Sequence, residues 1–228
     1  MIALSNIDFT PLILTFKLAL TTTLILTPIG VLIAYGCAFT KSRWKYFVEP
    51  LISMPLVLPP TVLGFYLLVL LSPNSFLGRF LSDTLHLNLI FSFSGLVIGS
   101  VLFSLPFLVN PIRAGFESFP KPLIEASYVL GKSRRQTLVR VILPNIKPAL
   151  LTGIVMAFAH TIGEFGVVLM LGGNIPGETR TASIAIFSEV EALNYSEAAL
   201  YSGVLFLISF IILFVLNLVN KKSPGVIG

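Results

Sequence analysis

The chain has 228 residues, of which 55% are hydrophobic and 11% charged, with a net charge of +5 and a mean hydropathy of +0.95. Soluble domains carry roughly 25% charged residues, so a water-soluble enzyme of ordinary composition is excluded and the chain is expected in a bilayer. A helix needs about 20 apolar residues to cross a hydrocarbon core of about 30 Å, so the length allows roughly five or six spans and no sizeable soluble domain.

Apolar runs at 12–39, 47–71, 89–112, 148–171 and 198–219 are five predicted spans, and the whole of 1–228 reads as one all-α, polytopic membrane domain. The first run is too long for a signal-peptide core, and the stretch from Met1 to Thr10 carries Asp8 but no Lys or Arg, so it is expected to stay in the protein. Cys37, the single cysteine, lies inside that run and excludes an internal disulfide or a cysteine-based metal site. The second run contains Pro55, Pro59 and Pro60, which remove backbone donors and predict a kinked or broken helix. Backbone freed at membrane depth must be buried in protein or line a watery cavity. The prolines therefore mark either a packing kink or a wall of a translocation route. Asp83 and His86 fall in the next loop, on the outer side, with no ligand geometry legible.

After the third run comes a polar segment, 114–147, which must sit in water between membrane spans, where another protein can push on it. Pro120 and Pro122 suit the first turn of a helix, and Leu123, Ile124, Ala126, Val129 and Leu130 supply apolar surface. Gly131 can stop that helix in a left-handed cap. Ser133-Arg134-Arg135-Gln136 fits a capping box for a second helix, expected to run until Pro144. The segment reads as a compact helix pair, and the alternative is an amphipathic helix lying on anionic lipid.

Within the fourth run, Glu164 is costly unless paired, water-facing or protonated. A structural pair with His160, one turn earlier on the same face, or with a neighbouring helix is the expected role, and a gate or pathway role is the other reading. Direct capture of an anion by Glu164 is disfavoured by like-charge repulsion. Gly163 and Gly166 permit close helix approach. The turn-rich stretch from Gly172 to Thr181 forms an outer loop in which Glu178 and Arg180 make an ion pair, contact a docking protein, or simply face solvent. Residues 181–192 read as a short helix dipping into the outer leaflet, a sixth span if counted as one.

Lys and Arg favour the cytoplasmic side. Lys41, Arg43 and Lys45 follow the first run, seven basic residues from Arg113 to Lys147 follow the third, and Lys221 and Lys222 follow the fifth. The opposite side offers Arg79, Arg180 and the nearby Lys17. The N terminus is thus expected outside and the C terminus in the cytoplasm. The net charge reports topology, and no nucleic-acid partner is needed to explain it.

The spacing of Glu125-Ala126-Ser127, Gly131, Val141 and Leu143-Pro144 resembles the EAA signature of the membrane subunits of ABC importers. Ser127 stands where a second alanine is usual, and Val141 where isoleucine is usual. The resemblance implies that this helix docks into a groove of a cytoplasmic ATPase, with Glu125, Ala126, Ser127 and Gly131 at the joint. Met54 to Pro60, Ala157-Phe158-Ala159 with Gly163-Glu164-Phe165-Gly166, and Asn174 to Thr181 are similar to the molybdate permease subfamily. That likeness implies a homodimer in the cell inner membrane, with the substrate path at its two-fold axis, two ATPase subunits and an external molybdate-binding protein. Tungstate and sulfate are the alternative substrates. Pathway or gate candidates are Pro55, Pro59, Pro60, Glu164, Glu178 and Arg180.

Gly131-Lys132-Ser133 mimics the tail of a phosphate-binding loop, but the first glycine of that motif would fall at Ala126 and no strand is predicted before it. ATP and Mg are therefore expected in the partner ATPase, with no cofactor or catalytic site in this chain. An ion-coupled transporter would show repeat symmetry and paired ionisable residues near mid-membrane. An intramembrane enzyme would need a nucleophile and base or metal ligands, which His86, His160 and Cys37 do not supply.

Overall fold

The computed structural model describes residues 8–221; Lys222 of the expected C-terminal basic pair lies outside them. Every regular element in this range is helical. α1 (Thr10–Phe39) is long enough to cross a bilayer alone, and Pro28 within it does not end the helix. Its buried stripe, which includes Leu18, Leu26 and Ala34, recurs at helical spacing.

The second apolar run does not form a straight crossing. α2 (Lys45–Ser53) passes into a tight turn over Met54–Leu56, and α3 (Pro60–Leu71) leaves at 110°. Pro59 is extended (φ −54°, ψ 135°), and Pro60 opens α3, where its missing N–H has no partner to lose. α4 (Phe76–Leu85) occupies the stretch read as a loop, so Asp83 is helical. It is capped by Ser75, which accepts from the Gly78 N–H at 2.8 Å, and ends at His86 in the left-handed region.

α5 (Phe93–Glu117) continues past the expected end of the third run and carries Pro106 and Pro111 without a break. The elbow follows: α6 (Lys121–Val129), α7 (Arg134–Thr137), a wide helical turn over Leu138–Ile142, and α8 (Leu143–Asn145). The second elbow helix runs until Asn145, beside Pro144, as expected. The wide turn, in which the Leu143 N–H reaches back to Leu138 O, precedes Pro144, which then sits in the first turn of α8, where no N–H is needed. Asn145 Nδ2 donates to Val141 O at 2.7 Å and covers a carbonyl there.

The run 148–171 is likewise not one helix. α9 (Lys147–Ile162) stops at Gly163, and α10 (Gly166–Gly172) begins three residues later. The expected short helix near 181–192 is α11 (Ala182–Glu191); its ten residues rise about 15 Å, too little to cross. α12 (Tyr195–Lys221) packs on α11 and α9.

α1, α5 and α9 form the centre of the bundle, with Leu26, Leu108, Val109, Ile112, Phe116 and Ala157 buried between them. α1, α5 and α12 are long and apolar enough to span individually. The count rises to five if α2–α3 and the α7–α8 segment with α9 each form one bent span.

Candidate functional site

The elbow between α5 and α9 is built as a rigid bracket. Gly131 ends α6 at φ +75°, the left-handed conformation that L side chains rarely adopt. The capping box is complete: Ser133 Oγ accepts from the Gln136 N–H at 3.3 Å, and Gln136 Oε1 accepts from the Ser133 N–H at 3.0 Å. The serine of the phosphate-loop look-alike is therefore occupied as a helix cap, and the element before it is a helix. Ser127 and Thr137, both buried, join the two elbow helices through their hydroxyls at 2.9 Å. The substitution of Ser127 for the usual alanine thus makes a specific contact. Nothing local in sequence marks Thr137 as its partner, because the pairing depends on how the elbow folds back.

The bracket is fastened to the bundle by apolar contacts. Ile124, Leu138, Val141 and Leu143 pack onto the buried cluster that contains Phe116, Phe119, Ile142 and Ile146. Phe116 also meets Tyr35 and Phe39 edge-on, at centroid distances of 5.6 and 5.8 Å, which ties the end of α5 to the end of α1. Arg113 bridges Glu49 at 3.2 Å and Glu117 at 3.1 Å, linking α2 to α5 beside the elbow. Opposite charges at spacing four on α5 were legible beforehand, whereas Glu49 was not.

The far side of the bracket carries no such cover. Glu125 and Ala126 are exposed, and beside them Val129 and Leu130 are 87% and 77% exposed, with Leu123 and Tyr128 also open. An exposed apolar patch of this kind marks a surface for a protein or membrane contact. Α6 therefore presents an acid, a small residue and an apolar tip on one bracket.

The two broken runs meet. A Cβ on Gly166 would lie 2.6 Å from Pro60 Cβ and 3.1 Å from Thr61 N, so the start of α10 presses against the start of α3. Pro60 and the Gly163–Gly166 string are thereby brought together, while Pro55 sits half-buried in the preceding turn. Glu164 lies in the break and is 4% exposed. The expected pair with His160 is not formed, because α9 ends at Ile162 and the two residues no longer share a helical face. Among the described residues neither carboxylate oxygen has a partner at full hydrogen-bond geometry, and the group that faces it is Ser100 Oγ of α5, itself buried and otherwise unpartnered. The Glu164 main-chain carbonyl accepts from Ser183 Oγ at 2.5 Å, which holds the break against α11.

His160 turns to α5 instead. It stacks on Phe107 at 3.8 Å, and its Nδ1 lies 3.0 Å from Ser104 Oγ, which is 2.9 Å from Thr161 Oγ1. Thr161 gives its one hydrogen to Ala157 O. Ser104 thus joins the imidazole of α9 and the Thr161 hydroxyl to α5 in one chain of polar groups.

In the loop between α10 and α11, Arg180 does not pair with Glu178. Its Nε donates to Asn174 Oδ1 at 2.6 Å, and Asn174 Nδ2 donates to Ser188 Oγ at 2.8 Å, so the loop is stitched to α11. Buried Thr179 closes the turn by donating to Gly172 O at 2.6 Å and accepting from the Ile175 N–H at 3.1 Å. Glu178 is left exposed. Asn174, flanked by glycine and a turn, was the missed residue, and its preference for turns was the available signal. Among the described residues no group of three or more His, Cys, Asp or Glu is placed to hold a metal.

Residues 27–222 match the family of binding-protein-dependent transport system inner membrane components. The chain is 44% identical to the molybdenum transport system permease protein ModB of Azotobacter vinelandii, covering 97% of this chain and 98% of that protein. It is 32% identical to ModB of Haemophilus influenzae, over 87% of this chain and 89% of that one. A bacterial ABC transporter that imports the acidic polysaccharide alginate shares the fold, with a TM-score of 0.76 and 16% identity over 95% of this chain and 80% of the other. With an elbow of this build, two interrupted helix pairs and a match over most of its length, the chain belongs to the family of binding-protein-dependent transport system inner membrane components.

Proposed function

We propose that this chain is the permease subunit of a molybdate ABC importer, and that two copies form the translocation pathway. The observation that carries the coupling mechanism is the elbow. Its inner side is bolted to α1, α5 and α9, and its outer side exposes Glu125, Ala126 and an apolar tip. Likeness to molybdenum permeases over nearly the full chain supports the substrate. Tungstate and sulfate are the less favoured oxyanions.

In this reading the membrane is the cell inner membrane, crossed five times with the N terminus outside, and α11 dips into the outer leaflet. Each copy seats its α6 in a groove of one cytoplasmic ATPase, which holds the ATP and Mg. Glu125 pairs with basic groups there, Ala126 allows close approach, and Gly131 turns the chain. ATP binding draws the two motors together, and the elbows move with them. Because α9 leaves the elbow at 77°, that displacement swings α9 and the break at Gly163–Phe165. The contact of Gly166 with Pro60 then carries the movement to the broken second run, opening the path outward to an anion delivered by an external binding protein. Hydrolysis reverses it. Glu178 and Arg180 face the delivery side, and selectivity resides mainly in the delivery protein.

The test is ATPase activity of the reconstituted complex, with the binding protein loaded by molybdate, tungstate or sulfate. Molybdate is expected to stimulate most. Glu125→Lys and Gly131→Val are expected to abolish stimulation and uptake while the permease keeps its thermal unfolding profile. Normal stimulated hydrolysis in both variants would overturn the joint, and stimulation by sulfate alone would overturn the substrate.

A further inference from the structure

A groove of about 740 Å³ runs along the bundle between α1, α9 and α12. Leu24 and Pro28 of α1, Leu151 and Phe158 of α9, and Ile212 and Leu216 of α12 form its walls. Thr27, at its edge, spends its hydroxyl hydrogen on Thr23 O at 2.7 Å. The slot therefore presents hydrocarbon. On α9 the lining positions 151, 154, 155 and 158 share one helical face, and the position one turn earlier on that face is Lys147. Lys147 is exposed and forms no ion pair with the described residues. Among the described side chains, the Lys147 ammonium thus stands at the elbow end of an apolar slot.

The dimensions match one lipid leaflet. From Lys147 to Phe158 the helix rises about 16 Å at 1.5 Å per residue, close to half of a hydrocarbon core of about 30 Å. A lysine at this depth extends its stem along the apolar wall and keeps its charge at the headgroup level. We propose that the groove binds an anionic phospholipid of the elbow-side leaflet, with one acyl chain in the slot and the phosphate on Lys147. A second copy of the chain seated here would have to bury that ammonium or bring a carboxylate to it; the lipid phosphate meets it at the water boundary without that cost. The site requires only that the bundle sits in a bilayer, so its failure would leave the ATPase-coupling reading, tested by stimulated hydrolysis, untouched.

The experiment is native mass spectrometry of the purified permease–ATPase complex, titrated with phosphatidylglycerol or phosphatidylcholine of identical acyl chains. The complex is expected to retain phosphatidylglycerol several-fold more strongly. Lys147→Gln should abolish that preference without loss of phosphatidylcholine binding, and Lys147→Arg should keep it. Val155→Trp, which fills the slot, should lower retention of both lipids. Equal retention of the two lipids by the unmodified complex would overturn the proposal. So would an unchanged preference in Lys147→Gln, or a photo-cross-linker at Ile212 that captures a second permease copy instead of lipid.

Discussion

Replacing Thr137 by valine keeps the shape of the side chain and deletes the hydroxyl that meets Ser127 at 2.9 Å. Both groups are buried, at 0% and 5% exposure. Leaving a buried polar group without its partner costs about 1–3 kcal/mol. A serine within a helix has a fallback, the carbonyl four residues earlier, which puts the expected cost at about 1–1.5 kcal/mol. The loss falls on the contact between α6 and α7, so it is read as local opening. Hydrogen exchange of the α6 amides should accelerate about 5- to 10-fold, since about 1.4 kcal/mol corresponds to tenfold. Ser127→Ala should behave similarly. The double variant Ser127→Ala/Thr137→Val leaves two apolar groups facing each other and should recover most of the protection, a coupling of about 1 kcal/mol between the sites. Stimulated ATPase activity of the reconstituted complex should follow the same order. Unchanged exchange in Thr137→Val, or additive losses in the double variant, would refute the claim that this pair stiffens the elbow.

Glu164→Gln removes a carboxylate that has no partner at full hydrogen-bond geometry among the described residues, so the thermal midpoint of the permease should hold or rise; a drop equivalent to about 2 kcal/mol would reveal a partner worth that much. Gly166→Val places side-chain atoms against Pro60 Cβ and the backbone of Thr61, and overpacking of this kind costs about 1–3 kcal/mol. A midpoint equal to that of the parent would mean that α3 and α10 are not pressed together. Asp8 accepts from the Thr10 N–H at 2.9 Å, and hydrogen bonds from Thr10 hold its carboxyl below the ordinary value of 3.8. A depressed pKa in the folded state means the stabilisation is present above about pH 4 and disappears as pH falls through the folded value. Exchange at the first turn of α1 should therefore quicken below about pH 4, beyond the intrinsic change, and Asp8→Asn should flatten that response. Identical profiles for both proteins would remove Asp8 from the cap.

The features legible in the residues alone are those decided within a turn or two of chain. Hydropathy marked the five runs, because crossing hydrocarbon requires a continuous apolar helix. The left-handed end of α6 at Gly131 and the capping box at Ser133 are local backbone chemistry, and both are present as read. Pro55, Pro59 and Pro60 announced the break in the second run because the missing donors act on their own helix. Pro144 was read as the end of the second elbow helix, which stops beside it at Asn145, but the wide turn over Leu138–Ile142 ahead of it has no signature in the residue pattern.

Partner choice belonged to the tertiary structure. His160 and Glu164 share a face only if α9 continues, and it ends between them. Arg180 chose Asn174, and Ser127 chose Thr137, because the loop and the elbow folded those side chains within reach. By itself the sequence determined the apolar character, the helical class and the existence of a capped helix pair between α5 and α9, since apolar content and local capping act on each segment alone. Which breaks touch and which polar groups find one another were decided only when separate segments packed, because those energies exist only between segments distant in the chain.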